Sequence, residues 1–267
     1  MAKSKIKRKI IAIVQARCNS LRLPNKVLKK FNGKPAIEIL YRRLNLSKKI
    51  NKIVIATSRN RSNEKLINFC KEKKIDFFLG SENNVLKRYY DANKKFKADI
   101  IIRITGDSIL IDHKLVDKVI DLFIKNRVDY ASNSQPVSYP DGLDIEVFSK
   151  KCLRETYRIA KNKYDKEHVT PLMRSLDKFK RINLKNDKDH SFLRWTLDQK
   201  EDFKVIESIL KFFGTKKYFS WKQTLNLTQS NKKKFNSNIK IVRNEGAKMS
   251  KTQKLWKRAK EIIPGGN

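Results

Sequence analysis

The feature that most restricts the fold of this chain is a regular alternation between short apolar runs and longer amphipathic stretches. The apolar runs are rich in Ile, Val and Phe and end in polar residues or glycine, as buried strands of a parallel sheet do. The stretches between them carry apolar residues at helical spacing. This alternation predicts an α/β fold with helices flanking a mostly parallel sheet. The predicted strands are 10–15, 52–57, 76–79 and 99–104, and the predicted helices are 35–46, 63–73, 84–96 and 114–125.

The second half of the chain has a mixed pattern without clean strand-helix-strand repeats. Because 267 residues suffice for one large core, we predict a single domain over 1–229. From Ser230 the composition turns polar and rich in lysine, which predicts a linker over 230–251 and a separate final segment at 252–267. The further predicted strands are 129–132, 143–148, 179–184 and 193–197, and the further helices are 151–161, 166–176, 201–212 and 221–227.

The charge of the chain is extreme, with 63 Lys and Arg against 27 Asp and Glu and a formal net charge of +36. Such a charge is typical of proteins that bind nucleic acid or anionic membranes. Here the lysines are spread over nearly every predicted helix and loop, with few aromatic residues among them. The wealth of Asn and Ile indicates the codon usage of an AT-rich genome. We therefore predict no specific nucleic-acid partner, and we expect the charge to steer anionic nucleotides and sugars to the protein.

The sequence also bears on the compartment. The longest apolar run near the start, 10–14, is far shorter than a membrane span, and no small-residue cleavage site follows it. Cys18, Cys70 and Cys152 are odd in number and too far apart for a zinc or redox pair. These observations predict a cytoplasmic protein without a membrane span.

A cationic loop follows the first predicted strand, where ligands of open parallel sheets bind. Within residues 15–26 it contains Arg17, Arg22 and Lys26, together with Ser20 and free backbone amides. This composition suits a triphosphate. The loop lacks the glycines of a Walker loop and of a dinucleotide fingerprint, which disfavours kinases, GTPases and dehydrogenases. A solvated basic loop without a ligand is the alternative interpretation.

Two further strand ends carry carboxylates. The run 103–107 ends in Gly106 and Asp107, and the run 195–198 ends in Asp198. Glycine allows close approach of another group, and carboxylate oxygens are ligands that Mg²⁺ prefers. We predict that Asp107 and Asp198 hold one magnesium ion. Asp112 precedes a predicted helix, so we interpret it as a helix N-cap.

A third group of polar residues surrounds the turn at 139–142. Asp141, Asp144 and Glu146 follow one another there, and alternation along a strand places the last two on one face. These carboxylates suit sugar hydroxyls or a second metal. His168, within the run 167–171, has no metal-binding or nucleophilic companion, so we predict a structural or substrate-contacting role.

Together these residues resemble the cytidylyltransferase family that includes acid-sugar cytidylyltransferases, and most closely its spore coat polysaccharide biosynthesis branch. The resemblance covers about residues 8–227. It rests on Arg22 to Lys26, Gly80 to Glu82 with Val85, Leu86 and Arg88 to Tyr90, Arg103 to Asp107, Tyr139 to Phe148, Glu167 to Pro171 and Thr196 to Asp198. Ser108 and Ile109 depart from the pattern, because many relatives have an acidic residue or cysteine and then proline there.

The resemblance implies a Rossmann-like sheet of the glycosyltransferase-A type. It also implies Mg²⁺-dependent transfer of CMP from CTP to an acidic sugar or sugar phosphate, with release of pyrophosphate, in surface polysaccharide or glycan biosynthesis. It implies catalytic roles for Arg17, Lys26 and Asp107. Because dimers are common among the relatives, it also predicts a homodimer. The substrate-binding residues would be Asp141, Asp144, Glu146 and His168, and the metal ligands Asp107 and Asp198. The residues implied for nucleotide binding are Gln15, Ala16, Arg17, Ser20, Arg22, Lys26, Arg103 and Gly106.

A separate, short resemblance lies at 250–266, which is similar to the opening of a class III aminotransferase of the glutamate-1-semialdehyde type. It predicts fusion to, or cooperation with, an enzyme dependent on pyridoxal phosphate. A tail helix without such a partner is the alternative. For the whole chain, two other functions remain open at this point: a glycosyltransferase that uses a finished nucleotide-sugar, and a basic RNA-binding protein without catalysis.

Overall fold

A computed structural model describes residues 8–214, 216 and 218–243 of the chain. Its strands alternate with helices in the first half, as the apolar pattern predicts. The strands are β1 (Ile10–Gln15), β2 (Lys30–Phe31), β3 (Lys34–Pro35), β4 (Lys52–Ser58), β5 (Phe77–Gly80), β6 (Ile100–Thr105), β7 (Tyr130–Ser132), β8 (Glu146–Ser149) and β9 (Arg181–Asn183).

The helices of the first half lie in the crossover connections between parallel strands, and two short 3₁₀ turns, Lys26–Leu28 and Arg61–Asn63, accompany them. Helix α4 begins at the N-cap Asp112, whose Oδ1 accepts hydrogen bonds from the backbone N–H of Lys114 and Leu115. The predicted N-cap is thereby confirmed. The helices are α1 (Ala36–Leu44), α2 (Glu64–Glu72), α3 (Val85–Phe96), α4 (His113–Asn126), α5 (Lys150–Ile159), α6 (Lys163–His168), α7 (Pro171–Ser175), α8 (Lys200–Phe213), α9 (Trp221–Ser230) and α10 (Lys232–Phe235).

Seven of the strands form one sheet in the order β5-β4-β1-β6-β8-β7-β9. The first four are mutually parallel, β8 is antiparallel to both its neighbours, and β9 is parallel to β7. The predicted α/β, Rossmann-like, mostly parallel sheet flanked by helices is confirmed. Because β1, β4 and β6 run in one direction, their carboxyl ends share one edge of the sheet.

Alternation along β1 divides the core between the two faces of this sheet. Ile10, Ala12 and Val14 pack in one cluster with apolar residues of α1, α2, α4 and α8. Ile11 and Ile13 face the other side and pack with residues of α3, α5 and α7. Burial on both faces explains why the strand is a continuous apolar run rather than an alternating one.

Two predicted elements of the second half are wrong. The helix predicted at 166–176 is divided into α6 and α7 at Val169, because Pro171 has no N–H to continue the first helix and instead occupies the first turn of the second. The strand predicted at 193–197 is an extended segment with a single bridge, between Arg194 and Asp141. Its partner is a turn rather than a strand, so no longer ladder forms.

The segment that follows Ser230, which was predicted to be a linker, also differs from the prediction. Residues 231–243 pack on the domain: α10 buries Phe235, and the side chain of Asn238 is 2% exposed. The predicted aminotransferase-like segment at 252–267 lies outside the described residues. Among the described helices, none has the length and apolarity needed to cross a bilayer. Cys18, Cys70 and Cys152 are buried free thiols.

Gly142 offers a test of how tightly the turn at 139–142 packs. Its φ is +97°, and an added Cβ would lie 2.6 Å from the backbone of Trp195 and Thr196. We expect Gly142→Ala to lower the free energy of unfolding by about 3 kcal/mol or more, measured by urea denaturation. Gly33 is the control, because its φ is +77° but nothing lies within 4 Å of the added atom. Gly33→Ala should cost only about 1 kcal/mol, and equal losses in the two variants would contradict the packing argument.

Candidate active site

The carboxyl ends of β1 and β6 open into a cavity of about 960 Å³. Gln15 and Ala16 at the end of β1, and Thr105 and Gly106 at the end of β6, contribute to its lining. Every site residue predicted from the sequence lines this cavity, except Ser20. The structure therefore brings together residues that lie up to 183 positions apart in the chain, from Gln15 to Asp198.

The loop after β1 is fixed by buried anchors. Its backbone N–H at Cys18 donates to Oδ1 of Asn63 at 2.8 Å, and the carbonyl of Cys18 accepts from the N–H of Asn25. Leu23 and Val27 are buried in the core. With its apolar residues held in this way, the loop presents its cationic side chains to the cavity.

Lys26 lies between the two carboxylates that the sequence singles out. Its Nζ donates to Oδ2 of Asp107 at 2.7 Å and to Oδ1 of Asp198 at 2.9 Å. Arg22 donates to the other oxygen of Asp198, at 2.7 Å from Nε and 2.6 Å from Nη2. The charges of Lys26 and Arg22 thus balance those of Asp107 and Asp198 beside the loop after β1.

Burial and ion pairing act against each other in this cluster. Burial by itself would lower the pKa of Lys26, but Asp107 and Asp198 outweigh it and raise that pKa above its ordinary value. Burial would raise the pKa of Asp107, yet the charge and hydrogen bond of Lys26 hold it below its ordinary value. Lys26 and Asp107 are therefore both charged at neutral pH.

Two backbone contacts bring Asp107 and Asp198 together. Gly106 donates its N–H to the carbonyl of Gln15 at 2.9 Å, and a Cβ there would lie 3.0 Å from that oxygen. Glycine is needed because the two strand ends approach so closely. Leu197 donates its N–H to the carbonyl of Asp107 at 3.0 Å, which places Asp198 beside it.

The donor set limits which metal this site could hold. Within the described residues, no group of three or more His, Cys, Asp or Glu side chains is placed to bind a metal ion. Asp107 and Asp198 supply two carboxylates on one side of the cavity. Mg²⁺ commonly binds one or two carboxylates and completes its shell with water and substrate phosphates. The residues therefore fit a magnesium ion that arrives with a phosphorylated ligand, rather than a permanently caged metal.

The three carboxylates predicted to bind sugar are each engaged by an arginine. Asp141 pairs with Arg194 at 2.7 Å, and Asp144 pairs with Arg243. Glu146 pairs with Arg103 and also accepts from the hydroxyl of Tyr130 at 2.5 Å. These three carboxylates thus hold arginine side chains in place at the cavity wall. The sequence of the turn does not predict these ion pairs.

The Arg103 and Glu146 pair is buried and ionised. Burial alone would raise the pKa of Glu146, but Arg103 and the hydrogen bond from Tyr130 hold it below its ordinary value. Burial would likewise lower the pKa of Arg103, and Glu146 raises it. Removing either partner would leave an uncompensated charge in the interior, which is costly.

Three residues of a polar network behind the carboxylates were missed by the sequence analysis. Arg194 donates from Nε and Nη2 to Asp202 at 2.9 and 3.0 Å. Asp202 in turn accepts from the backbone N–H of Asp198 at 3.0 Å, and Asn238 donates to Asp202 at 2.8 Å and to the carbonyl of Arg194 at 2.9 Å. The network supports Asp198 from behind. Its only local sequence signal was Asp202, close after Asp198.

Arg243 was also missed, because it falls in the predicted linker. One of its terminal nitrogens donates to the carbonyl of Tyr139 at 3.0 Å, and the other donates to Asp144. It lines the cavity together with the carboxylate it pairs with. The segment after α10 is therefore part of the site wall.

The junction of α6 and α7 forms another part of the wall. Val169 has φ +71° and ψ −54°, and the N–H of Thr170 donates to the carbonyl of His168 at 2.8 Å, which closes a γ-turn. A β-branched residue in this conformation costs about 1–3 kcal/mol, and complete burial of Val169 holds it there. Burial, with Arg103 and Arg174 nearby, lowers the pKa of His168, so its ring is neutral at pH 7.

Fold and site together define an α/β protein with a cationic loop facing two carboxylates at the carboxyl edge of a parallel sheet, an arrangement suited to a nucleotide and its metal. A model of the cytidylyltransferase family matches residues 11–241. The chain belongs to the cytidylyltransferase family and is a nucleotidyltransferase.

Individual relatives agree with this assignment. The chain is 38% identical over 208 residues to an uncharacterized protein of Methanocaldococcus jannaschii, covering 77% of this chain and 84% of that protein. It is 30% identical over 230 residues to the spore coat polysaccharide biosynthesis protein SpsF of Bacillus subtilis, covering 83% and 95%. A solved cytidylyltransferase from Leptospira borgpetersenii serovar Hardjo-bovis superposes with a TM-score of 0.82 at 32% identity, covering 85% of this chain and 97% of that one.

Asn238 tests whether the segment after α10 belongs to the domain. Asn238→Ala leaves a buried carboxylate oxygen of Asp202 and the carbonyl of Arg194 short of a donor, so urea denaturation should show a loss of about 1–3 kcal/mol. The exposed Asn236 is the control, and Asn236→Ala should stay within about 0.5 kcal/mol of the wild type. Equal stability of both variants would mean that the segment does not pack as described.

Proposed function

We propose that this nucleotidyltransferase transfers CMP from CTP to a sugar that carries an anionic group, with release of pyrophosphate and with Mg²⁺ held by Asp107 and Asp198. One observation carries the proposal. Lys26 binds both carboxylates at once, under a cationic loop at the carboxyl edge of the sheet. Membership in the family and the likeness to the spore coat polysaccharide protein support CMP transfer in polysaccharide biosynthesis.

The loop supplies the charge for the triphosphate. Arg17 is exposed and has no side-chain hydrogen bond or ion pair within the described residues, so its guanidinium is available to phosphate oxygens. Arg22 and Lys26 are paired with carboxylates, and a triphosphate offers them alternative anionic partners. The backbone N–H of Arg17 lies at the same strand end, whereas that of Ala16 donates to the carbonyl of Ala56. The loop then orients the triphosphate by charge and by hydrogen bonds.

Magnesium would supply Lewis acidity at the α-phosphate and neutralise charge that builds on its oxygens. Asp107 and Asp198 are placed to hold it because the carboxylates of both reach one cation, Lys26. Arg194 and Asp202 keep Asp198 in position through the backbone and ion-pair contacts described above.

The proposed reaction is a nucleophilic substitution at phosphorus. An oxygen of the sugar forms a bond to the α-phosphorus, and the bond from that phosphorus to the bridging oxygen of the β-phosphate breaks. Pyrophosphate leaves with the electron pair of that bond, and a sugar hydroxyl releases its proton. Arg17, Arg22 and Lys26 stabilise the charge on the phosphate oxygens as the bond to pyrophosphate lengthens.

Asp107 provides the direct test of the metal assignment. In Asp107→Asn the side chain keeps its shape but loses its charge, so Mg²⁺-dependent release of pyrophosphate should fall about 100-fold or more. The assay measures pyrophosphate from CTP with a panel of acidic, phosphorylated and neutral sugars.

Asp177→Asn is the matched control, because the side chain of Asp177 is 99% exposed on the surface. Its activity should equal that of the wild type. Wild-type turnover in Asp107→Asn at the same magnesium concentration would remove Asp107 from the metal site. Release of a nucleoside diphosphate from a nucleotide-sugar, without release of pyrophosphate from CTP, would instead indicate a glycosyltransferase.

A further inference from the structure

The strand β5 lies at one end of the seven-stranded sheet and has an open edge. Within the described part of the chain it pairs with β4 alone. The carbonyl of Asp76 accepts a hydrogen bond from the N–H of Ile55 in β4 at 2.9 Å. Backbone polar groups alternate in direction along a strand, so the N–H and C=O groups of Phe77 and Leu79 point to the open side. They form a short row of donors and acceptors that a further strand could use.

A groove with a cavity volume of about 660 Å³ lies beside this strand. Residues 78–81 line it from the strand side, and Lys87, Asp91, Lys94 and Lys95 line it from α3. Arg59, which directly follows β4, completes the lining. The groove shares no lining residue with the cavity of the candidate active site. We call it the edge groove.

The edge groove carries an excess of positive charge. Its lining contains four cations and one carboxylate, that of Asp91, which pairs with Lys87 at 2.5 Å. Lys94 and Lys95 lie over neighbouring aromatic rings, at 5.9 and 5.4 Å from the ring centroids, but these contacts leave their charge in place. Among the described residues, no carboxylate pairs with Lys94, Lys95 or Arg59. Three positive charges therefore remain for a partner.

The cations of α3 extend along the open edge rather than gathering at one point. From Lys87 to Lys95 the helix rises about 12 Å, and the four residues of β5 span about 13 Å. Phe78 packs in the same cluster as residues of α3, so this helix covers the face of the sheet to which Phe78 points. A chain added to β5 would direct every second side chain to that face. A single small anion would instead leave the row of backbone groups unpaired.

Charge decides between the possible occupants. Pairing of β5 with β5 of a second copy would place the same cations of both copies side by side, which is unfavourable. Residues 244–267 of this chain carry six Lys and Arg against two Glu, so their charge also has the wrong sign. A nucleic acid would meet the cations but could not form the hydrogen bonds of a strand. An acidic peptide satisfies both the charge and the backbone.

We propose that the edge groove binds an acidic, extended segment of a partner protein, which adds to the sheet as a strand next to β5. The backbone of the segment pairs with Phe77 and Leu79. Acidic side chains at alternate positions of the segment meet Lys94, Lys95 and Arg59. This docking site is separate from the candidate active site, and the inference does not depend on the proposed function.

The test measures binding of a labelled acidic peptide to the full-length protein by fluorescence anisotropy. The probe is a peptide of about eight residues in which Glu and Thr alternate, at about 150 mM salt, where the Debye length is about 8 Å and long-range attraction is screened. A second peptide has the same side chains but N-methyl groups on alternate amides, which prevent strand pairing. We expect the methylated peptide to bind at least about 10-fold more weakly.

Leu79 tests the backbone contact from the side of the protein. Leu79→Pro removes an N–H that points to the open edge and leaves the bonds to β4 in place, and edge strands tolerate proline. It should raise the Kd of the acidic peptide about 10-fold or more. Leu79→Ala is the control, because it shortens the side chain but keeps the N–H, and its Kd should stay within about 3-fold of the wild type.

A double charge reversal tests the cations. Lys94→Glu combined with Lys95→Glu should raise the Kd of the acidic peptide about 10-fold or more. The matched control combines Lys118→Glu with Lys125→Glu, because these lysines are exposed on α4, lie outside the groove and change the net charge equally. If Leu79→Pro melts much earlier than the wild type, this pair of variants and the methylated peptide decide.

Several results would overturn the inference. Equal binding of the methylated and unmethylated peptides, or equal losses in the two double variants, would mean that general surface charge attracts the peptide. Single-stranded DNA that competes for the groove with equal affinity would indicate a nucleic-acid surface. A dimer in sedimentation experiments that is lost in Leu79→Pro would assign the open edge to a second copy. Absence of peptide binding by the wild type would remove the docking site.

Discussion

The ammonium group of Lys26, bound at once by Asp107 and Asp198, is the contact on which the rest of the site depends. It joins three separate segments: the loop after β1, the end of β6 and the extended run before α8. Without the lysine, two carboxylates would face each other in a half-buried site, which disfavours ionisation of both. Without the carboxylates, the cation would lose the partners that offset its burial. The cluster therefore fixes the position of the proposed magnesium site.

Other parts of the cavity wall also contain cations paired with carboxylates. Arg103, Arg194 and Arg243 each engage a carboxylate of the turn at 139–146, so most of the strong charge in the wall is balanced internally. Among the described residues that line the cavity, the unpaired cations are few and lie at separate positions. The formal charge of +36 is thus a property of the surface more than of the site, and steering by that surface charge adds to the attraction of anionic substrates without selecting among them.

Much of the fold could be predicted from the sequence because its signals are local. The strand at Ile10–Gln15 was predicted with its observed bounds, since an apolar β-branched run of that length between polar residues leaves few alternatives. The division of the helix at Val169 had a visible cause in Pro171. The run 193–197 was mistaken for a strand because an apolar pattern cannot reveal that the segment pairs with a turn.

The position of the site could be predicted from the sequence, but the ion pairs among its side chains could not. Polar residues at strand ends identified the cavity, because parallel strands end at a common edge. The partners of Glu146, Asp141 and Asp144 are arginines 43, 53 and 99 residues away, and no local pattern links them. Asn238 and Arg243 were missed for a related reason: a polar, lysine-rich composition resembles a linker even where two of its side chains are anchored in the domain.

Calorimetric titration with nucleotides tests the central claim most directly. The protein would be titrated with CTP, UTP, ATP and GTP, each with and without Mg²⁺, at two salt concentrations. A magnesium and triphosphate site at Lys26, Asp107 and Asp198 predicts that nucleotide binding requires Mg²⁺, and the proposed transfer of CMP predicts that CTP binds more tightly than the other three nucleotides. CTP binding that is unchanged when Mg²⁺ is removed would contradict the site, and equal binding of all four nucleotides would contradict the proposed transfer.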